Sequence, residues 1–152
     1  MENLERLLRE HEFLKGLSEA HLGLMVACAK NLRFEAGEFL MREGGEANTF
    51  FLLRVGRAAL EVLVPGRGTV QMESVGPGDV LGLSWLVPPY RVSLDARAVE
   101  PVVALAFDGA CLRGKIEKDH ELGYELVRRL YEKTVQRLDH VRLQRLDVYQ
   151  AP

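Results

Sequence analysis

Apolar and charged residues alternate at helical spacing through residues 2–31. The apolar side of this segment is formed by Leu4, Leu7, Leu8, Leu22, Leu24, Met25 and Ala29. Ser18 is a suitable N-cap residue, and Glu19 would then lie in the first helical turn, where a negative charge is favourable. The pattern predicts N-terminal helices, the second of which begins after Ser18.

The pattern changes at Leu32 to short apolar or alternating runs separated by glycines, and it continues in this way to Phe107. Such runs are typical of an all-β sandwich or barrel. Strands are predicted near residues 38–42, 48–55, 57–64, 68–75, 91–99 and 101–107. The sequence PGRG at residues 65–68 separates two runs of similar length and predicts a hairpin loop.

Good helix formers dominate from about Lys118 to Tyr149 and predict one long helix with two apolar stripes. The first stripe contains Tyr124, Val127, Tyr131, Thr134, Leu138, Val141 and Val148, with Arg145 interrupting it, and the second contains Leu122, Leu126, Leu130, Leu143 and Leu146. One stripe suffices to dock the helix on its own domain. The second, heptad-spaced stripe implies a partner helix, most simply that of another subunit. We assign the dimer helix to Val127, Tyr131, Thr134, Leu138 and Val141. The alternative is that the early half packs on the domain and the tail has no partner.

The composition indicates one globular domain over residues 1–152, because 152 residues with 47% hydrophobic and 28% charged side chains can bury an adequate core. Its predicted parts are N-terminal helices at 1–31, a β section at 32–107 and C-terminal helices at 108–149. The net charge of −2 and the scattered arginines give no general attraction to a polyanion. The N-terminus lacks an apolar run long enough for a signal peptide or membrane span. We therefore expect a cytoplasmic protein with no membrane partner.

The residues that most often carry catalysis or bind metals are few and dispersed. The two cysteines, Cys28 and Cys111, are too few for a zinc knuckle or an iron–sulfur site. Packing roles are expected for both, and a redox role is the alternative for Cys111. The four histidines, His11, His21, His120 and His140, all lie on predicted helices. No nucleophile–base pair or phosphate-binding loop of an enzyme is present in the sequence. We expect neither an enzyme nor a metal site.

Helices, a glycine-punctuated β section and a long amphipathic helix follow each other in the order seen in cyclic-nucleotide-binding domains of the catabolite-activator type. The sequence resembles that family in the segment from Phe34 to Val62, in Gly76-Pro77-Gly78-Asp79, in Gly82, and in DARA at residues 95–98. The resemblance implies an α+β, mainly β fold: an antiparallel β-roll or jelly roll flanked by N-terminal helices and a long C-terminal dimerisation helix. It also implies a phosphate-binding cassette, here at residues 76–91, and a nucleotide or phosphorylated small molecule as the ligand class.

The cassette departs from the family pattern at its two usual ligand-binding side chains. The residue after the cassette glycine is typically a glutamate that accepts from the ribose, but here it is Leu83, which cannot accept a hydrogen bond. The family's phosphate-binding arginine corresponds to Tyr90 when counted back from Ala96, or to Arg91 by residue type. These two alternate on the predicted strand, so only one can reach the pocket. An arginine–phosphate contact contributes about 1.5–3 kcal/mol, so we expect weak binding of cyclic AMP or none.

The candidate ligand-binding residues are Gly82, Leu83, Ser84, Trp85, Tyr90 and Arg91. Trp85 and Tyr90 can fill the cavity, or they can stack on a planar ligand. Arg91, Asp95 and Arg97 alternate with apolar residues, which is typical of a solvated strand face, with anion capture as the alternative. In related transcription factors a helix-turn-helix follows the long helix, whereas this sequence ends at Pro152. We therefore expect no DNA binding.

Two hypotheses follow from these observations. The first is a stand-alone, homodimeric regulatory domain in which a ligand near residues 82–91 repositions the C-terminal helix and so controls an unidentified protein. The second is a ligand-free interaction scaffold whose former nucleotide pocket is plugged by Trp85 and Tyr90.

Overall fold

Two four-stranded antiparallel sheets form the centre of the structure, a computed structural model that describes residues 3–150, with side chains as far as residue 146. The predicted domain also includes residues 1, 2, 151 and 152, which lie outside the described residues. The strands are β1 (Ala29–Phe34), β2 (Phe39–Met41), β3 (Thr49–Val55), β4 (Ala58–Val64), β5 (Gly68–Val75), β6 (Val80–Leu81), β7 (Asp95–Ala98) and β8 (Val102–Asp108). One sheet has the strand order β1-β8-β3-β6 and the other β2-β7-β4-β5.

Four α-helices flank the sheets: α1 (Leu4–Glu10), α2 (Glu19–Val26), α3 (Gly109–Lys118) and α4 (His120–Gln150). Short 3-10 helices occur at Glu12–Leu14 and Leu83–Leu86. The predicted cap of α2 is present, since the Ser18 hydroxyl accepts from the His21 backbone N–H at 3.2 Å. The α+β, mainly β fold expected from the sequence is confirmed.

Strand β3 separates two hydrophobic cores. Phe50 and Leu52 face the helices, whereas Phe51 and Leu53 face the interior of the roll between the two sheets. Successive side chains of a strand point to opposite faces, so a strand covered on both sides reads as a continuous apolar run. The helix-side core also contains Leu8, Leu14, Trp85, Phe107, Leu112 and Leu126. The roll interior is lined by small residues of β7 and β8, including Ala96, Ala98, Ala104 and Ala106.

Each predicted strand corresponds to an observed one, but the structure also contains strands that were not predicted. Strand β1 was not predicted as a strand, and residues 29–31 were assigned to the N-terminal helices, so the β section begins at Ala29 instead of Leu32. Four of its six residues are exposed, because it lies at a sheet edge, so it lacks a buried apolar pattern. The strand predicted at residues 91–99 is shorter, starting at Asp95.

The two cysteines form a disulfide, Cys28–Cys111, which joins the segment before β1 to α3 across a sequence separation of 83 residues. The expectation of separate packing roles was therefore wrong. The pairing depends on β1 and β8 lying side by side, with Ala29 opposite Phe107, and this register is not visible in the spacing of two cysteines. Disulfides are rare in cytosolic proteins, so the bond does not support the expected cytoplasmic location.

The first half of α4 packs on its own domain through the stripe that was assigned to a partner helix. Leu122 and Leu126 are fully buried and Leu130 is 7% exposed, all within the helix-side core. The interpretation of this stripe as intermolecular was wrong for its first three residues. Arg129 on the same helix donates to the carbonyl oxygens of Phe13 (2.7 Å) and Lys15 (2.9 Å), which fixes α4 to the N-terminal segment.

Candidate functional site

A cavity of about 220 Å³ lies at the mouth of the β-roll, between the cassette and α4. Its apolar lining comes from Met41, Leu60, Leu81, Leu83, Val92 and Leu94, and its polar lining from Glu73, Ser84, Ser93 and Arg137, with Gly82 completing the wall. We call it the roll cavity. Of the six predicted ligand-binding residues, Gly82, Leu83 and Ser84 line it, whereas Trp85, Tyr90 and Arg91 are not among its lining residues.

Gly82 positions the start of the cassette. Its φ of 82° lies in the left-handed region, and a Cβ at this position would stand 2.5 Å from the Thr49 carbonyl oxygen. Any other residue would be strained and would displace β3. The glycine is thus required by the close approach of the cassette to β3, and it allows the 3-10 turn at Leu83–Leu86 to begin at the cavity wall.

Leu83 and Ser84 give the roll cavity one apolar and one hydroxyl-bearing wall residue, and both are partly buried. Leu83 occupies the position where the family resemblance implies a ribose-accepting glutamate. The leucine leaves no acceptor at that place, so a ribose hydroxyl buried against it would lose a hydrogen bond at a cost of about 1–3 kcal/mol.

Trp85 belongs to the helix-side core and not to the roll cavity. It is fully buried, and its ring centroid lies 5.6 Å from that of Phe50. Its indole Nε1 has no hydrogen-bond partner among the described residues. The side chain therefore packs the cassette against the first core and leaves the cavity open.

Tyr90 turns away from the roll cavity because of its backbone conformation. Its φ of 56° is left-handed, and it follows the Pro88–Pro89 peptide, which is cis. The Tyr90 ring packs against Arg113 of α3, whose guanidinium carbon lies 4.2 Å from the ring centroid. Arg113 also donates to the carbonyl oxygen of Trp85. One arginine of α3 thus holds both aromatic residues of the cassette.

Arg91 is exposed, and its backbone forms an isolated antiparallel β-bridge with the backbone of Glu46. Tyr90 and Arg91 were expected to be alternatives on a strand, but both precede β7 and neither lines the cavity.

Asp95 ion-pairs with Arg42 (3.7 Å) and accepts from the Glu43 N–H (2.7 Å). Arg97 makes two 3.0 Å hydrogen bonds with the buried carboxylate of Glu61. The charges of Asp95 and Arg97 therefore have partners within the protein.

Arg137 of α4 is the cation at the roll cavity, and sequence reasoning missed it. It is half-buried and donates to the Val80 carbonyl oxygen. Burial lowers the pKa of Arg137, and the nearby carboxylates of Glu73 and Asp79 act in the opposite direction. The guanidinium stays charged, since arginine is not deprotonated in proteins. A signal was present in the sequence, because Arg137 lies seven residues after Leu130 and so on the same face of the helix.

A larger polar groove of about 610 Å³ lies next to the roll cavity, between β5 and α4. Beyond Leu130, α4 presents polar side chains to this groove from Lys133, Gln136, Arg137, His140 and Gln144. Glu73 and Arg137 line both spaces and so form the boundary between them.

The residues assigned to the dimer helix lie on the outer surface of α4. Val127 (47%), Tyr131 (69%), Leu138 (46%) and Val141 (42%) are exposed large hydrophobic side chains. Thr134 is exposed as well, and its hydroxyl donates to the Leu130 carbonyl oxygen at 2.8 Å. These residues form an apolar face that the described part of the chain does not cover.

The described residues contain no group of histidine, cysteine and carboxylate side chains arranged to hold a metal ion. Nor does any described helix combine the length and hydropathy needed to span a membrane.

Comparison with known proteins agrees with the observed fold. The sequence profile of the cyclic nucleotide-binding domain matches residues 31–119. The cGMP-dependent protein kinase 2 of Homo sapiens is 29% identical over 112 residues, which is 73% of this chain but 14% of the kinase. The chain thus spans about a seventh of the length of the curated relatives it matches.

Two solved structures illustrate the similarity of fold. A protein from Geobacter metallireducens GS-15, assigned provisionally to the cyclic nucleotide-binding proteins, superposes with a TM-score of 0.80 at 29% identity, covering 91% of this chain and 99% of that one. The catabolite activator protein of Thermus thermophilus has a TM-score of 0.69 at 20% identity over 91% of this chain and 62% of its own. The profile match covers more than half of the sequence, and the chain therefore belongs to the cyclic nucleotide-binding domain family.

Proposed function

We propose that this chain is a regulatory, ligand-sensing domain that binds a small molecule in the roll cavity and controls another protein through the position of α4. The observation that carries the proposal is that one cavity is walled both by the cassette, through Gly82, Leu83 and Ser84, and by the long helix, through Arg137. A ligand that fills this space contacts both elements. Its binding free energy can therefore favour one placement of α4 over another.

The ligand differs from a cyclic nucleotide bound in the usual way of the family. Leu83 provides no acceptor for a ribose, and Arg91 is exposed and outside the cavity lining. A cyclic phosphate at the cassette would therefore lack its usual arginine, a contact of about 1.5–3 kcal/mol. A nucleotide in another orientation, or a phosphorylated small molecule, remains part of the proposed ligand class.

The proposed partner in assembly is a second copy of the chain. Four large apolar residues of α4, Val127, Tyr131, Leu138 and Val141, are exposed at helical spacing on one face. Burial of apolar area stabilises association by roughly 25 cal/mol per Å² before the costs of association are subtracted. Two such faces can pair in the manner of a coiled coil.

Control of a protein is favoured over binding of DNA by the charge pattern of α4. Arg128 pairs with Glu125 at 2.9 Å and Arg142 with Asp139 at 3.9 Å, so these two exposed arginines have neighbouring carboxylates. The net charge of −2 likewise offers no general attraction to a polyanion.

The alternative function is a ligand-free scaffold in which the pocket is plugged. The position of Trp85 in the helix-side core and the contact of Tyr90 with Arg113 both favour the sensor, because neither ring lies at the cavity wall.

A thermal-shift screen with nucleotides, phosphorylated metabolites, nicotinamide compounds and small carboxylic acids tests the proposal. A ligand that binds only the folded form raises the melting midpoint, by the equivalent of about 2.7 kcal/mol at one hundred times its Kd. The sensor requires at least one compound to do so. A screen in which no compound changes the midpoint supports the scaffold instead.

A further inference from the structure

The buried face of α4 changes character after Leu130, at the point where the helix reaches the roll cavity. Leu122, Leu126 and Leu130 pack into the helix-side core, but the next residues on this face are polar and line the groove beside β5. Arg137 is among them and is the sole basic residue that lines the cavity itself within the described part of the chain. A half-buried arginine that faces an apolar cavity is costly unless its donors are used.

The donors of Arg137 are used only in part by the contact that the structure contains. A guanidinium carries five N–H donors, and one hydrogen bond of Arg137 goes to the Val80 carbonyl oxygen. The carboxylates of Glu73 and Asp79 are near enough to act on its charge. Donors therefore remain for a ligand, and a guanidinium with free donors suits a carboxylate or phosphate.

We propose that Arg137 binds the anionic group of a small organic acid whose apolar body occupies the roll cavity, so that the long helix supplies the cation which the cassette lacks. This inference rests on the proposed function, since it names the chemistry of the ligand at the same site. It follows from the position of Arg137 at the boundary between an apolar cavity and a polar groove.

The lining residues define the ligand further. The cavity of about 220 Å³ is smaller than the roughly 300–1,000 Å³ of most ligand sites, so the apolar body is small, such as one aromatic ring. Six apolar side chains surround that body, and Glu73 stands beside the cation. A carboxylate neighbour disfavours a second negative charge, so a carboxylic acid with one charge fits better than a phosphate monoester.

Calorimetric titration of the full chain tests the inference with four probes: phenylacetate, phenyl phosphate, the neutral 2-phenylethanol and inorganic phosphate. Concentrations up to about 10 mM cover the millimolar Kd range of small fragments. The variants are Arg137→Gln, Arg137→Lys and the matched control Arg142→Gln, which changes an exposed arginine of the same helix. Thermal melting of each variant shows whether it is folded at the titration temperature.

We expect phenylacetate to bind more tightly than phenyl phosphate and at least about tenfold more tightly than 2-phenylethanol. Arg137→Gln should weaken phenylacetate binding about 10- to 100-fold, since a charge-assisted contact is lost. Arg137→Lys should restore part of the affinity, and Arg142→Gln should leave it unchanged. A purely structural role of Arg137 would lower the melting midpoint of Arg137→Gln without this selective loss of the acid.

Three results overturn the inference. Equal binding of phenylacetate to the natural chain and to Arg137→Gln, or equal binding of acid and alcohol, would leave the sensor proposal standing without Arg137 as its anion site. If neither phenylacetate nor phenyl phosphate binds but the thermal screen finds another ligand, the inference about Arg137 likewise fails and the sensor proposal stands. If the screen finds none, the proposed function fails as well.

Discussion

The guanidinium of Arg113 lies over the ring of Tyr90, with its central carbon 4.2 Å from the ring centroid, and so joins α3 to the end of the cassette. The same side chain donates to the Trp85 carbonyl oxygen. Through these two contacts the cassette is attached to the helix that precedes α4.

Replacement of Arg113 should therefore destabilise the domain. Arg113→Ala removes a cation–π contact and a hydrogen bond, with an expected loss of about 1–2 kcal/mol in the free energy of unfolding. Arg128→Ala is the control, because Arg128 makes an exposed ion pair with Glu125, and the loss of an exposed pair should change stability little. Urea denaturation measures both. Equal effects of the two substitutions would contradict the attachment of the cassette by Arg113.

The Cys28–Cys111 disulfide should contribute strongly to stability, since it closes a loop of 83 residues in sequence. Loss of a native disulfide from a small domain costs about 2–5 kcal/mol. Cys28→Ser, Cys111→Ser and the double variant should lose the same amount, because each breaks the same bond. Reduction of the natural chain should lower its urea midpoint to that of the variants, while the double variant should not respond to reductant. A natural chain insensitive to reductant would show that the bond does not stabilise the fold.

His11 should make stability depend on pH near neutrality. The ring is 7% exposed, and its Nδ1 accepts from the Phe13 N–H at 3.1 Å, so Nε2 carries the proton and donates to the Leu53 carbonyl oxygen at 2.8 Å. Burial lowers the pKa of His11, and the folded state therefore binds fewer protons than the unfolded state below about pH 6.5. Stability is fully present above that pH and is lost as the pH falls, by at most about 1.4 kcal/mol per pH unit.

Denaturation between about pH 8 and pH 5 measures this dependence, since the range lies above the ordinary carboxylate pKa values. His11→Gln keeps an N–H for the Leu53 carbonyl and removes the titration. The variant should have a flatter profile than the natural chain. Matching slopes would assign the pH dependence to another group.

The outer face of α4 should mediate dimer formation. Tyr131→Glu and Leu138→Glu place charges on the exposed apolar face and should convert the dimer to a monomer at tens of micromolar, a range in which weak dimers dissociate. Gln136→Glu is the control, since Gln136 lines the groove on the other side of the helix. Light scattering after gel filtration gives the mass. A natural chain that is monomeric under these conditions would contradict the proposed pairing.

The sequence allowed the fold to be predicted well where pattern and packing agree. The apolar runs of β3 and β4 and the helix formers of α4 follow directly from burial on one or two faces. Strand β1 was missed because an edge strand can be almost wholly exposed. The disulfide was missed because it depends on which strands are neighbours.

The site was predictable only in the residues that share one short segment. Gly82, Leu83 and Ser84 follow each other in sequence and line the cavity as expected of a cassette. Tyr90 and Arg91 were misplaced because a left-handed residue at Tyr90 interrupts the strand on which their alternation was argued. Glu73 and Arg137 come to the cavity from β5 and α4, and a pattern within one element cannot show that they meet.

The melting midpoint of Ser93→Trp, measured with each compound that stabilises the natural chain, tests the central claim most directly. Ser93 is exposed at the cavity mouth, so a tryptophan there can fill the space without disturbing the core, and Thr69→Trp at an exposed site outside the cavity is the control. If ligands bind in the roll cavity, the shift should disappear in Ser93→Trp and persist in Thr69→Trp. A full shift in both variants would contradict a ligand site in the roll cavity.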